Sequence, residues 1–307
     1  MKRVLFLVAV LLTPALAHAK LKIVATTTDF ADLARQVGGE QVEVHSVMKG
    51  PENVHNVLAA PTEMLKLNQA DLFVHGGLDA EPWRDNLLRG ARNGRVNVGQ
   101  PGNVDLSTGV ELKEVPAARV DRSMGDVHAF GNPHYPLSIA NGQRMAATLA
   151  KAMAAADPAN AEAYRQNAVK VVTELGALRD ELRTTFEPYA GLKVVTFHPA
   201  WAYLVDTLPI DIAGTIEPQP AVTPSPRQVR DLVERMRREG VKVVVVETYS
   251  DDNLAAAVAR DAGAQLVRLP DHVNGVPDAR TYQDLFRYNA GKLIDAARAA
   301  GVEPQAP

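Results

Sequence analysis

Residues 160–189 most constrain what this chain can fold into. The stretch has no proline until Pro188, and Ala163, Val169, Val172, Leu175, Leu178 and Leu182 recur at spacings of three, four and six with charges on the remaining faces. Such spacing reads as one long helix. Gly176 leaves an alternative open, two shorter helices broken near that residue, because an interior glycine weakens a helix.

On both sides of this segment the sequence alternates short apolar runs with helical patterns. Residues 21–25, 42–47, 72–74 and 96–98 read as strands before it, with helices at 30–37 and from residue 62. After it, strands at 192–196, 241–246 and 265–269 alternate with helices at 228–238, 253–262 and 282–299. This is the pattern of mostly parallel sheets covered by helices. The expected fold is therefore α/β, with two β/α lobes joined by one long backbone helix. Residues 20–158 are expected to form the first lobe, 159–190 the helix and 191–307 the second lobe. No solenoid-period repeat and no low-complexity tract is visible.

A net charge of −3 gives no basic excess of the kind that nucleic-acid binding uses. Lys2 and Arg3, the apolar run 4–12 and Ala17-His18-Ala19 match the three regions of a secretory signal peptide, residues 1–19. The apolar run is too short to span a bilayer. The expected product starts at Lys20 and is free in the periplasm, without a lipid anchor. The chain has no cysteine, which excludes disulfides, thiolate ligands and a cysteine nucleophile. A soft metal would then be held by histidine, methionine or carboxylate.

Of eight histidines, His18 falls in the leader and seven follow it: His45, His55, His75, His128, His134, His198 and His272. His198 directly follows the run Val194-Val195-Thr196-Phe197, and strand carboxyl ends face the ligand crevice in open α/β sheets. His134 sits in Gly131-Asn132-Pro133-His134-Tyr135-Pro136, where Pro136 can open a helix. His55 follows the strand at 42–47, and Asp271 follows the strand at 265–269. Each alone is as compatible with a surface histidine or a capping aspartate. Together, three imidazoles and a carboxylate make a common donor set for Zn²⁺. No H-E-x-x-H helix of the zinc-protease kind is present.

These pieces resemble the solute-binding proteins of zinc and manganese ABC importers. The resemblance runs through Ile23-Val24-Ala25-Thr26-Thr27, Val54-His55 with Pro61-Thr62, Asn132-Pro133-His134, Phe197-His198-Pro199-Ala200-Trp201-Ala202-Tyr203, Val246-Glu247-Thr248, and Asp271 followed by Tyr282 and Arg287-Tyr288-Asn289. It implies a metal site in the cleft between the lobes, with His55, His134, His198 and Asp271 as ligands. It also implies Zn²⁺ as the captured ion, Mn²⁺ being the less suited alternative for a nitrogen-rich set. The implied partner is the membrane permease of a metal ABC importer. A periplasmic metal chaperone is a second expected partner, and the receptor is expected to be a monomer and not an enzyme.

The chain departs from the family in having Asn53-Val54 before the first ligand and Tyr135-Pro136-Leu137-Ser138 after the second. Glu247 ends a buried strand and is expected either beside the metal, orienting a ligand imidazole, or as a carboxylate capping the next turn. His128 and His272 are read as gate or surface residues. Competing functions are a secreted zinc hydrolase with Glu247 as general base, and an adhesin or chaperone on the same fold. With a reference pKa of about 6.5, three imidazole ligands would lose metal to protons as pH falls below that value.

Overall fold

The computed structural model describes residues 19–117, 120, 128–217, 219 and 222–305. The leader expected at residues 1–19 lies almost wholly outside the described residues.

Two four-stranded, all-parallel sheets organise the protein. The first comprises β1 (Leu21–Ala25), β2 (Val42–Ser46), β3 (Leu72–His75) and β4 (Asn103–Asp105), in the order β2-β1-β3-β4. The second comprises β5 (Leu192–Thr196), β6 (Ile210–Thr215), β7 (Val243–Glu247) and β8 (Gln265–Leu269), in the same order, β6-β5-β7-β8. β7 is buried along its whole length, as expected for a valine run covered on both faces. In each sheet the chain reverses direction of growth beside the first strand. Such switch points open a crevice beyond the carboxyl ends of the strands.

Helices α1 (Thr28–Gly38), α2 (Pro61–Asn68) and α3 (Arg84–Ala91) serve the first sheet. Helices α6 (Pro226–Glu239), α7 (Asn253–Ala262) and α8 (Tyr282–Ala299) serve the second. Between them run α4 (Ile139–Ala156) and α5 (Ala161–Phe186). α5 is one unbroken helix of 26 residues, about 39 Å long at 1.5 Å per residue. Its buried stripe is Tyr164, Ala168, Val171, Leu175, Leu178, Leu182 and Phe186, spaced by threes and fours. Val169, expected on that stripe, is exposed. Gly176 does not break the helix because α4 packs along it, and the Gln143 side chain donates to Val172 O at 2.7 Å. α5 also packs against α1 and α8, and one apolar core runs from the first sheet through α4 and α5 to the second.

Three expectations need correction. Residues 96–98 are not a strand: Val96 ends a 3₁₀ turn, Gly94–Val96, that the Asn93 side chain starts by accepting from Arg95 N, and Val98 is exposed. The strand is β4, an edge strand in which only Val104 is buried. Pro136 sits in a 3₁₀ turn, Tyr135–Leu137, and the helix proper begins at Ile139. The strand expected at 241–246 is shifted to Val243–Glu247, which puts Glu247 inside it.

Candidate metal site

The strand ends and the loops after them deliver the histidines. His55 lies in the 3₁₀ turn Val54–Asn56, where Asn53 accepts the His55 N–H at 2.9 Å. Its Nδ1 is 2.9 Å from Ala80 O, so Nδ1 carries the proton and Nε2 keeps a lone pair. His134 is fixed by Asn132, whose Oδ1 accepts the His134 N–H at 2.9 Å. The Asn132 amide donates to Glu114 Oε2 and to Pro199 O, both at 2.7 Å, tying this loop to the residue after His198. His198 follows β5 at the position just before the 3₁₀ segment Pro199–Asp206, with its side chain making no capping bond.

These three residues converge. Their ring centroids are 5.4 Å apart for His134 and His198, 5.5 Å for His55 and His134, and 6.1 Å for His55 and His198. One ligand nitrogen from each lies within 4.8 Å of the others. The Nε2 atoms of His55 and His134 are buried with no hydrogen-bond partner. A buried acceptor without a partner is costly unless something else binds it. Burial first, and then the neighbouring imidazoles, hold His55 down to about 3 and His198 down to about 4, and push His134 well below the usual histidine range. All three are therefore neutral at pH 7, the state in which imidazole binds a metal.

Asp271 stands beside this cluster but outside the tight set of three. It follows β8, is 3% exposed and lines one cavity together with His134, Val54, Ala80 and His272. Its Oδ2 accepts the Tyr249 hydroxyl at 2.9 Å. Asn289 of α8 donates to Pro270 O at 2.9 Å and so pins the chain just before Asp271. Burial raises the Asp271 carboxyl above the usual aspartate value, opposed by His272 and the Tyr249 hydroxyl.

Glu247 is fully buried and makes no hydrogen bond to an imidazole among the described residues. Its carboxylate accepts Trp201 Nε1–H at 2.8 Å and the Ser250 hydroxyl at 3.3 Å. Burial, reinforced by the Asp271 charge, pushes it up to about 8. These hydrogen bonds anchor Trp201 and the start of the loop after β7, and none of them orients a ligand imidazole.

Two further histidines sit at the site instead of on the surface. His272 is buried at 6% exposure, its Nδ1 paired with the Asp29 carboxylate of α1, while Asp29 Oδ1 accepts Val273 N–H at 2.9 Å. Burial alone would lower its pKa, but Asp271 and Asp29 outweigh that and raise it to about 9. His128 has its ring 5.0 Å from that of His55. Sequence separation hid both arrangements: Asp29 and His272 are 243 residues apart. His75 is also buried, but its nitrogens are used by Asn103, Gly77 N and Arg84, which makes it structural.

Comparison with known proteins shows the family. Residues 23–296 match the model of the family described as ZnuA, the periplasmic zinc-uptake complex component A. The chain is 26% identical over 289 residues to the metal ABC transporter substrate-binding lipoprotein ScbA of Streptococcus cristatus, covering 90% of this chain and 89% of that protein. It is 26% identical over 312 residues to the manganese ABC transporter substrate-binding lipoprotein PsaA of Streptococcus pneumoniae serotype 4, covering 95% and 96%. A ZnuA crystal structure shares the fold with a TM-score of 0.75 at 24% identity, covering 91% of this chain and 99% of that one. The Ni²⁺ complex of FpvC from P. aeruginosa does so with a TM-score of 0.73 at 22% identity, covering 94% and 100%. The chain therefore belongs to the ZnuA family of periplasmic metal-binding components of ABC importers.

Proposed function

We propose that this receptor captures Zn²⁺ through His55, His134, His198 and Asp271 and delivers it to the permease of a metal ABC importer. The observation that carries the reading is the convergence of three buried, neutral imidazoles, with one ligand nitrogen each within 4.8 Å. Zinc accepts such a nitrogen-rich, four-coordinate set readily. Manganese favours more oxygen. The relatives named as manganese receptors support a second reading, a Mn²⁺ receptor on the same site. The relatives are transporter receptors, and nothing at the site favours the hydrolase alternative.

The same reading takes the protein to be exported with cleavage after Ala19, to work as a monomer without a lipid anchor, and to accept metal free or from a periplasmic chaperone. Mass spectrometry of the exported form and light scattering check the first two points. The metal is decided by equilibrium dialysis of chelator-stripped protein against Zn²⁺ and Mn²⁺ in competition. One tightly held Zn²⁺ per chain that Mn²⁺ does not displace is expected. Displacement of zinc by equimolar manganese favours the second reading.

A further inference from the structure

Among the described residues, four histidines bury an Nε2 atom with no partner: His55, His128, His134 and His272. The three-histidine cluster accounts for His55 and His134. His272 is the inter-lobe partner of Asp29. His128 belongs to neither arrangement.

The surroundings of His128 resemble those of a metal ligand. Its Nδ1 is 2.8 Å from Asp79 Oδ1, and Asp79 Oδ2 also accepts the Ala129 N–H at 2.9 Å. A carboxylate on Nδ1 fixes the tautomer and the ring orientation and leaves the Nε2 lone pair free. That is the support metal-ligating histidines usually have. His55 has its counterpart in Ala80 O. The His128 ring lies 5.0 Å from that of His55 and 6.3 Å from that of His134. Turning a lone pair inward beside two others has no return unless a cation visits it. The other candidate for the fourth position, Asp271, is held back by the Tyr249 hydroxyl. Neither residue is in the tight set of three. The two approach the cluster from different lobes.

We propose that His128 is a metal ligand of this site that exchanges with Asp271 for the fourth coordination position. The inference rests on the reading of the site as a metal receptor. It gives the ion two states. In one, Asp271 of the second lobe completes the shell. In the other, His128 takes that position beside His55, His134 and His198, so three of the four ligands lie on chain preceding α4 and the second lobe holds the ion by His198 alone. Metal can then be loaded or released stepwise, without loss of all ligands at once. A fourth imidazole also biases the site further toward late first-row divalent ions and away from Mn²⁺.

The test uses Zn²⁺ competition with a chromophoric chelator and the visible spectrum of the Co²⁺ form, on the mature protein. The variants are His128→Ala, Asp271→Ala, both together, and His198→Ala. Each single change at the fourth position is expected to weaken zinc modestly, because the other residue takes over. The double variant is expected to lose more than the product of the two single losses, by about tenfold or more, together with the tetrahedral Co²⁺ bands that Asp271→Ala retains. A loss from His128→Ala that is equal or smaller in the Asp271→Ala background than in the parent overturns the exchange. His198→Ala separates the two claims. If it binds zinc like the parent, the receptor reading fails; if it weakens zinc while His128→Ala is silent in both backgrounds, only the exchange fails.

Discussion

The two lobes contribute opposite chemistries to one site. The first lobe supplies His55 and His134, neutral imidazoles whose lone pairs are unpartnered and whose backbones are held by Asn53 and Asn132. The second lobe supplies, besides His198, a buried network of acids that are already satisfied: Asp271 by Tyr249, Glu247 by Trp201 and Ser250. The difference teaches how a cage for a dication can persist without one. Imidazoles tolerate burial uncharged. Carboxylates are costly to bury as charges, so each finds a donor or keeps its proton, as Glu247 does with its pKa raised to about 8, and the His272 cation lies between Asp271 and Asp29.

The largest test of this contrast removes a ligand. His134→Ala and His198→Ala should each weaken zinc by about a hundredfold or more, since a zinc site worth about 10–16 kcal/mol is shared among four ligands. His45→Ala and His75→Ala should leave affinity unchanged in the same chelator competition. Equal losses at all four positions would mean that the imidazole cluster is not the site.

Breaking the charge network comes next. Asp29→Ala leaves His272 without its first-lobe partner and should cost about 3 kcal/mol of stability in urea unfolding, the usual penalty for stranding a buried charge. Zinc affinity should change far less than for a ligand variant. The His272 contribution has a definite sign: its folded pKa of about 9 lies above the unfolded value, so its stabilisation is complete below about pH 6.5 and is lost as pH rises through about 9.

The imidazole half has the opposite sign. Because burial holds His55 near 3 and His198 near 4 in the metal-free protein, their neutral forms persist well below the reference value of about 6.5. The unfolded chain takes up protons first, so the metal-free protein should lose stability as pH falls from about 6.5 through about 4. Zinc affinity should stay nearly level down to about pH 5 and drop steeply below about 4. A fall centred on pH 6.5, which unperturbed imidazoles would give, would show that these rings are solvated in solution.

The smallest effect probes the frame between the lobes. A Cβ at Gly176 of α5 would meet only Gln143 Nε2, at 3.4 Å, an ordinary contact. Gly176→Ala should therefore raise stability by up to about 1 kcal/mol by helix propensity alone, with zinc affinity unchanged. Thermal melts and zinc titration together check this. A loss of affinity would mean that the helix has to bend at this glycine for the lobes to close.

Legibility followed the range of the interactions. Central strands such as β7, with its run of valines, and the long helix α5 announce themselves because burial and periodicity are local signals. The edge strands β4 and β6 do not. Asn103-Val104-Asp105 buries one residue, and β6 is mostly half-buried with Gly214 at its irregular register. His55 and His198 were visible as residues following strands and His134 as one in a turn ahead of a helix, and the resemblance pointed to them together with Asp271. What surrounds them was not visible. The Trp201–Glu247 hydrogen bond spans 46 residues and the His128–Asp79 contact 49, and no spacing rule connects such pairs. The depressed imidazole pKa values belong to the same class. They come from desolvation by the whole packed site, which no single motif encodes.

Zinc K-edge X-ray absorption of the metal-loaded protein tests the central claim most directly, because imidazole rings give characteristic multiple scattering. The expected result is zinc bound by nitrogen and oxygen donors only, with at least three imidazoles. A shell made mainly of carboxylate and water oxygens, with one imidazole or none, would contradict it.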